Sequence, residues 1–391
     1  MYSRHLKTSI ERQAAHFPVI AVTGPRQSGK TTLVRAVFAD KPYVSLEDPV
    51  ERAFAQEDPR GFLARFAHGA IFDEAQRWPD LFSFLQGVVD ADRRPGRFVL
   101  TGSQQFGLLS GISQSLAGRV GLNTLLPFAW GEIPAPQTAA MTLNDAMLRG
   151  GYPQLHISAV PTRDWMASYV ATYLERDVRQ VLNVQDLSAF SRFLRLCAGR
   201  TGQLLKLSSL ADETGVSQST ARAWLSVLEA SYVVHLLPPY HRNFGKRLVK
   251  MPKLYFLDTG LAAWLLGIHT AEQLATHPVR GALFENWVIA EALKSRYNAG
   301  RPSDLYFWRD NNGAEADLMF ETPQGLQTVE IKSGQTVTSD SIRAGLKSKR
   351  MVKAPETAAL TPWLVHGGVD AYERGGVRVM GWRHMAFDDA A

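Results

Sequence analysis

The period of the apolar positions changes along the chain, and the changes mark different elements. Val19-Ile20-Ala21-Val22-Thr23 is a continuous β-branched run, which reads as a strand buried on both faces. Thr32 to Phe38 then reads as a helix. Gly69 to Ala75 and Arg97 to Ser103 are two further strands, each apolar first and polar at its end. Another apolar run spans Val120 to Phe128. From Ala167 to Val184 the spacing turns helical, with Tyr169, Val170, Tyr173, Leu174, Val178 and Val181 on one stripe. Phe190 to Ala198 continues that character.

Leu207 to Leu225 has the shape of a helix pair. A short helix starts at a serine cap, turns at Gly215 and restarts at Ser217, with Leu210, Leu225 and Leu228 packing the pair. Tyr232 to Leu237 follows as a β-branched strand. Gly281 to Leu293 is apolar on almost every face, so that helix is expected to be buried, with Glu285 inside it. Leu305–Arg309, Ala314–Phe320 and Gln327–Lys332 read as strands, with a turn at Asp310-Asn311-Asn312-Gly313.

Composition narrows this picture a little. A length of 391 residues implies two or three domains. The single cysteine, Cys197, excludes a disulfide framework and a cysteine metal cluster. No apolar run approaches about 18 residues, so no membrane partner is expected, and the polar segment Met1 to His16 lacks a signal core. A cytoplasmic protein is therefore expected. The net charge of +6 is compatible with a nucleic-acid partner without demanding one.

The chemistry lies at the strand ends. Gly24-Pro25-Arg26-Gln27-Ser28-Gly29-Lys30-Thr31 is a phosphate-binding loop between a strand and a helix, continued by Thr32. Its glycines let backbone N–H groups wrap a phosphate. Lys30 is expected to reach the β- and γ-phosphates of ATP, and Thr31 to hold Mg2+. Asp73 fits a role in the Mg2+ shell, and Glu74 fits activation of the attacking water. Ser103 or Gln104 could touch the γ-phosphate or that water, or the segment could equally form a helix cap or turn. Arg119, just before the Val120 run, would face away from its own phosphates. It is expected to act on a neighbour's ATP, which implies a homo-oligomer, most simply a ring.

This half resembles the AAA+ ATPases of the AAA_14 type that also carry a DUF4143 region. The resemblance rests on GPRQSGKTTL, AIFDEAQ, FVLTGSQQF, SLAGRV, PFAWGE and Gly150-Gly151-Tyr152-Pro153 in that order, and it covers essentially the whole chain. In that family a GGYP segment leads out of the ATPase core. Arg149 and Arg176 are the candidates for a sensor-2 arginine, and neither is clear.

The middle segment is similar to a winged helix. In a DNA-reading version Gln218, Ser219, Thr220 and Arg222 would face the major groove, and Arg242, Lys246, Arg247 and Lys250 would line the wing. No acid occurs between Leu236 and Leu257, and the basic segment from Arg242 to Lys253 is expected to carry DNA binding. Equally, the element could serve as a plain protein-interaction module.

In the last part, strand alternation puts Glu330 and Lys332 on one face, with Asp317 beside Glu330 across a hairpin. Two carboxylates and a lysine then converge, with Glu285 at the edge. The carboxylates suit Mg2+ and the lysine suits positioning of a water. The set resembles the PD-(D/E)xK nuclease core, which is how the DUF4143 region is usually read.

The expected architecture is α/β: a P-loop AAA+ core with a parallel sheet (1–160), a helical winged-helix segment (161–250) and a PD-(D/E)xK nuclease-like α/β domain (251–391). The expected function is Mg-dependent ATP hydrolysis coupled to DNA binding or remodelling, with ATP and Mg2+ as cofactors and a nuclease-like activity implied by the resemblance. Single-stranded, duplex and branched DNA stay open as ligands. Two alternatives stand beside it: a nucleotide-gated scaffold for protein partners, and an AAA+ protein-remodelling factor, which would need an aromatic pore loop.

Overall fold

A computed structural model describes residues 2–103, 108, 111–112, 114–174, 186–240, 250–310, 315–351, 360–385 and 387. Two compact units divide the chain. The first comprises Met1–Glu132 with Ala230–Tyr232 and Tyr297–Pro302; the second comprises Ile133–Glu229, Val233–Arg296 and Ser303–Ala391. Residues 133–160 thus fall in the second unit.

The first unit is built on five parallel strands: β1 (Val19–Thr23), β2 (Tyr43–Ser45), β3 (Ala70–Asp73), β4 (Phe98–Gly102) and β5 (Val120–Thr124). Their order is β2-β3-β4-β1-β5. Alternation along β1 explains the continuous apolar run. Val19 and Ala21 join Phe62, Phe72, Trp78 and Phe98 on one face. Ile20 and Val22 join Leu6, Ile10, Leu33 and Val34 on the other. A strand covered on both faces has no room for polar side chains except at its ends. The registers Thr23↔Gly102, Thr23↔Thr124 and Ser45↔Asp73 bring those ends to one edge of the sheet.

The second unit holds a mixed six-stranded sheet. Its strands are β8 (Leu305–Arg309), β9 (Glu315–Thr322), β10 (Gly325–Lys332), β11 (Trp363–His366), β12 (Tyr372–Arg374) and β13 (Val377–Gly381). They lie in the order β12-β13-β11-β10-β9-β8. β9 and β10 form an antiparallel hairpin with Val329 opposite Leu318, and β10 runs parallel to β11. A separate antiparallel pair joins β6 (Val234–Leu237) to β7 (Lys253–Phe256). The helix Arg280–Asn298 is buried along most of its length.

Several boundaries differ from the sequence reading. The expected helix from Ala167 begins earlier, at Thr162, and widens into a π-turn over Val170–Leu174; Val178 and Val181 lie outside the described residues. The helix pair forms as Leu207–Thr214 and Gln218–Ala230, with Gly215 left-handed at φ +82° between them. The first helix has no serine cap, because Lys206 holds the cap position without a side-chain bond. Ser217 does cap the second, accepting from Thr220 N at 3.1 Å. Trp224 packs edge-on against Phe190 and Phe193, with ring centroids 5.5 and 5.4 Å away. The turn expected at 310–313 falls mostly outside the described residues.

Asn286 fastens the buried helix to β7. Its side-chain oxygen accepts from Phe256 N at 2.7 Å, and its amide nitrogen donates to Phe256 O at 2.7 Å. Thr201 donates to the same oxygen, and Asn286 is fully buried. An alanine here leaves a buried N–H and a buried carbonyl without partners. Asn286→Ala is expected to lower stability by about 2–4 kcal/mol, the desolvation penalty of two such groups. Equilibrium denaturant unfolding measures it, and a loss under about 0.5 kcal/mol would mean that the backbone finds other partners.

Candidate functional site

The first constellation forms at the carboxyl edge of the parallel sheet. After Thr23 the chain turns sharply: Gly24 has φ +147°, Gln27 +61° and Gly29 +92°. Left-handed residues interspersed in a short loop point successive N–H groups to one side. Gly24 is obligatory for a second reason, since a Cβ there would lie 2.1 Å from the Leu125 carbonyl oxygen. The helix Lys30–Val37 starts directly behind the loop, so its amino end faces the same space. The Lys30 ammonium is buried and donates to the carbonyls of Gly24 at 3.0 Å and Pro25 at 2.8 Å.

Strand order completes the arrangement. β4 lies between β1 and β3, so its end stands between the loop and the two acids. Asp73 is encircled by hydroxyls. Thr31 donates to its Oδ2 at 2.9 Å, Tyr43 to the same oxygen at 2.6 Å, and Thr101 to Oδ1. Burial, then the Asp73 carboxylate, pushes the Tyr43 phenol well above its ordinary range. Glu74 follows in the left-handed region at φ +53°. Its Oε2 accepts from Ser103 at 3.1 Å and from the Gln76 amide. A carboxylate and a threonine hydroxyl 2.9 Å apart are a donor set that fits Mg2+. Tyr43, Thr101 and Gln76 went unread in the sequence, because only strand order shows that β2 and β4 flank β3.

Arg119 sits elsewhere. It precedes β5, at the amino edge of the sheet, whereas the loop follows the carboxyl end of β1. Five residues of strand separate the two edges by roughly 15 Å. Its guanidinium is clasped by both oxygens of Asp90, at 2.7 and 2.8 Å. Gln104 and Arg176 lie outside the described residues. Arg149 donates to Leu155 O at 2.6 and 3.0 Å, a local tie within its own turn.

The second constellation lines a cavity of about 650 Å3 in the second unit. Asp317, Glu330, Lys332 and Glu285 all border it, with Lys253, Arg309, Glu315 and Lys206. The Lys332 ammonium lies 2.6 Å from Glu330 and 4.0 Å from Asp317. Asp317 accepts from Ile331 N at 2.8 Å. Burial, then Glu330 and Glu285, raises the Asp317 carboxyl well above the usual range. Burial also raises Glu330, against the pull of Lys332.

Lys253 corrects the sequence reading. Expected in an exposed basic run, it is 3% exposed and pairs with Glu285 at 2.9 Å and with Glu315. Tyr255 donates to the same Glu285 oxygen at 2.5 Å. Glu285 also stands in the second turn of the helix Arg280–Asn298, beyond the favourable first turn. Among the described residues no group of three or more His, Cys, Asp or Glu is arranged to hold a metal ion. Of the two acids expected to hold a metal, Glu330 holds the Lys332 ammonium and Asp317 accepts from the Ile331 amide, while the Tyr255 phenol and the Arg309 guanidinium engage Glu285 and Glu315.

Of the basic candidates, Arg222 is exposed on the helix Gln218–Ala230 and Lys250 is exposed. Arg242, Lys246 and Arg247 lie outside the described residues. No helix among the described residues is long and apolar enough to cross a membrane.

Family models match in three stretches: an AAA domain (AAA_14) over residues 16–134, a domain of unknown function (DUF8612) over 141–272 and a domain of unknown function (DUF4143) over 280–385. The chain is 36% identical to the uncharacterized protein Rv2008c of Mycobacterium tuberculosis over 351 residues, covering 88% of this chain and 77% of that one. The same figures hold for the uncharacterized protein Mb2031c of Mycobacterium bovis. Among solved structures, the Walker-type ATPase PABY2304 of Pyrococcus abyssi is 14% identical, with a TM-score of 0.47 over 68% of this chain and 96% of that one.

Proposed function

Because the chain belongs to the family of the mycobacterial proteins Rv2008c and Mb2031c and is a P-loop AAA-type ATPase, we propose that it hydrolyses Mg-ATP at the Gly24–Thr32 loop and uses the cycle to bind or remodel DNA. The observation that carries the first part is the double pairing at the sheet edge. Thr31 meets Asp73 at 2.9 Å, and Ser103 meets Glu74 at 3.1 Å. One acid is thereby tied to the loop and the other to the strand between them.

The roles follow from those contacts. The Lys30 ammonium exchanges the Gly24 and Pro25 carbonyls for phosphate oxygens of ATP. Thr31 and Asp73 would hold Mg2+, which would supply charge neutralisation at the phosphates. The Glu74 carboxylate takes a proton from the attacking water, with Ser103 and Gln76 fixing its orientation. Arg119 serves the site of a neighbouring subunit in a ring-shaped homo-oligomer, after release from Asp90.

DNA as the partner is supported by the second unit. Asp317 with Glu330-Ile331-Lys332 resembles a PD-(D/E)xK core, and the exposed Arg222 lies on the second member of a helix pair. The winged-helix reading of that pair is part of the same proposal.

Three measurements test the proposal. Lys30→Ala should lose ATP binding, whereas Glu74→Gln should bind ATP and turn over at least about a hundredfold more slowly. Normal turnover in Glu74→Gln removes Glu74 from its role. ATPase rate should rise with one of single-stranded, duplex or branched DNA, and DNA affinity should fall steeply with salt as counterions are released. No DNA affinity at low salt with ATP present would favour a nucleotide-gated scaffold for protein partners. Finally, mixing Arg119→Ala with Lys30→Ala subunits should restore part of the activity, because each lacks a different half of a shared site. A co-assembled mixture that stays inactive rules out a role in trans.

A further inference from the structure

Lys253 is the least expected group in the second cavity. It leaves β7 inside the protein, 3% exposed, and its ammonium lies between Glu285 and Glu315. The Phe307 ring covers it, with the centroid 5.5 Å from the nitrogen. A buried ammonium is tolerated only where anions compensate it. Here Glu285, Asp317 and Glu315 outweigh its desolvation and hold it charged.

The remaining acids are also engaged. Glu285 accepts from Tyr255 as well as Lys253, and Glu315 faces Arg309 at 3.4 Å. Glu330 holds Lys332, and Asp317 accepts from a backbone N–H. Around the cavity Lys253, Arg309 and Lys332, with Lys206 and Arg200, therefore stand against Glu285, Glu315, Asp317 and Glu330. A divalent ion demands oxygens free of other donors and closely spaced, and it would be repelled by the ammonium already between them.

We propose that the Lys253 ammonium takes the place of a divalent cation in this cavity, so that the acid–lysine constellation binds no metal and cuts no phosphodiester by a metal-dependent route. The inference rests on the residues of this cavity alone and stands whether or not DNA is the ligand of the second unit.

Mn2+ titration monitored by electron paramagnetic resonance tests it, in the absence of nucleotide and DNA. Any Mn2+ bound by the first unit is identified by its loss in Asp73→Asn. Wild-type protein should show no Mn2+ that is lost in Asp317→Asn. Lys253→Met removes the ammonium and frees Glu285 and Glu315, so it should gain a Mn2+ site at least about tenfold tighter than any in the wild type, abolished by adding Glu285→Gln. Wild-type Mn2+ that disappears in Asp317→Asn overturns the proposal. So does a folded Lys253→Met protein that gains no site. If Lys253→Met fails to fold, Lys253→Gln, which keeps a hydrogen-bond donor, replaces it with the same two outcomes. If neither folds, the wild-type titration decides alone.

Discussion

The parallel strands of the first unit are apolar on both faces, and that constraint governs where chemistry can occur. Side chains of β1 alternate between two packed clusters, so no position within the strand is open to a polar group. Polar residues are admitted only where the strands end. Parallel pairing then collects those ends on one edge, which is why the phosphate loop, Asp73, Glu74, Thr101 and Ser103 become neighbours despite wide separation in the chain. The order β3-β4-β1 matters as much as the direction. Placing β4 beside the acid strand brings the Thr101 hydroxyl onto Asp73 and the Ser103 hydroxyl onto Glu74.

The second unit obeys a different constraint. Its acids are brought inside the protein by a mixed sheet and a buried helix, where an uncompensated carboxylate is costly. For Glu285 and Glu315 compensation comes from a lysine placed more deeply than either acid. Lys253 is nearly sealed, while Lys332 keeps almost half its side chain in solvent. Lys253 thus offsets buried acids from inside, while Lys332 pairs with Glu330 from the solvent side.

These two constraints also explain what could be read in advance. The loop, the first strand and the acid pair were legible because each is local: an apolar run, a glycine pattern, two acids at a strand end. The meeting of Asp317, Glu330 and Lys332 was legible because a hairpin and a period of two are local rules as well. Tyr43 was not, since its contact with Asp73 depends on β2 pairing beside β3. Lys253 was misread for the same reason. In the chain it closes an acid-free basic stretch; in the fold it stands on β7, inside the reach of acids that come thirty and more residues later. The serine cap expected at the start of the first helix of the pair failed on a smaller scale, because helix starts are decided by backbone placement within a residue or two.

The two acid sites differ in the kind of donor that holds them, and this difference bears on what each can do. Asp73 is held by three neutral hydroxyls, from Thr31, Tyr43 and Thr101. A hydroxyl is both donor and acceptor. Thr31 can therefore turn its oxygen toward an arriving cation while Tyr43 and Thr101 keep the carboxylate aligned, so the site can accept positive charge without losing its geometry. Glu285 and Glu315 are held by an ammonium, which has no lone pair to offer and carries the very charge that a cation would bring. Such a site cannot exchange its partner for a metal ion without expelling a charged side chain from the interior. On the proposed reading the first unit can take up a cation together with a nucleotide, whereas a cation entering the second must displace Lys253.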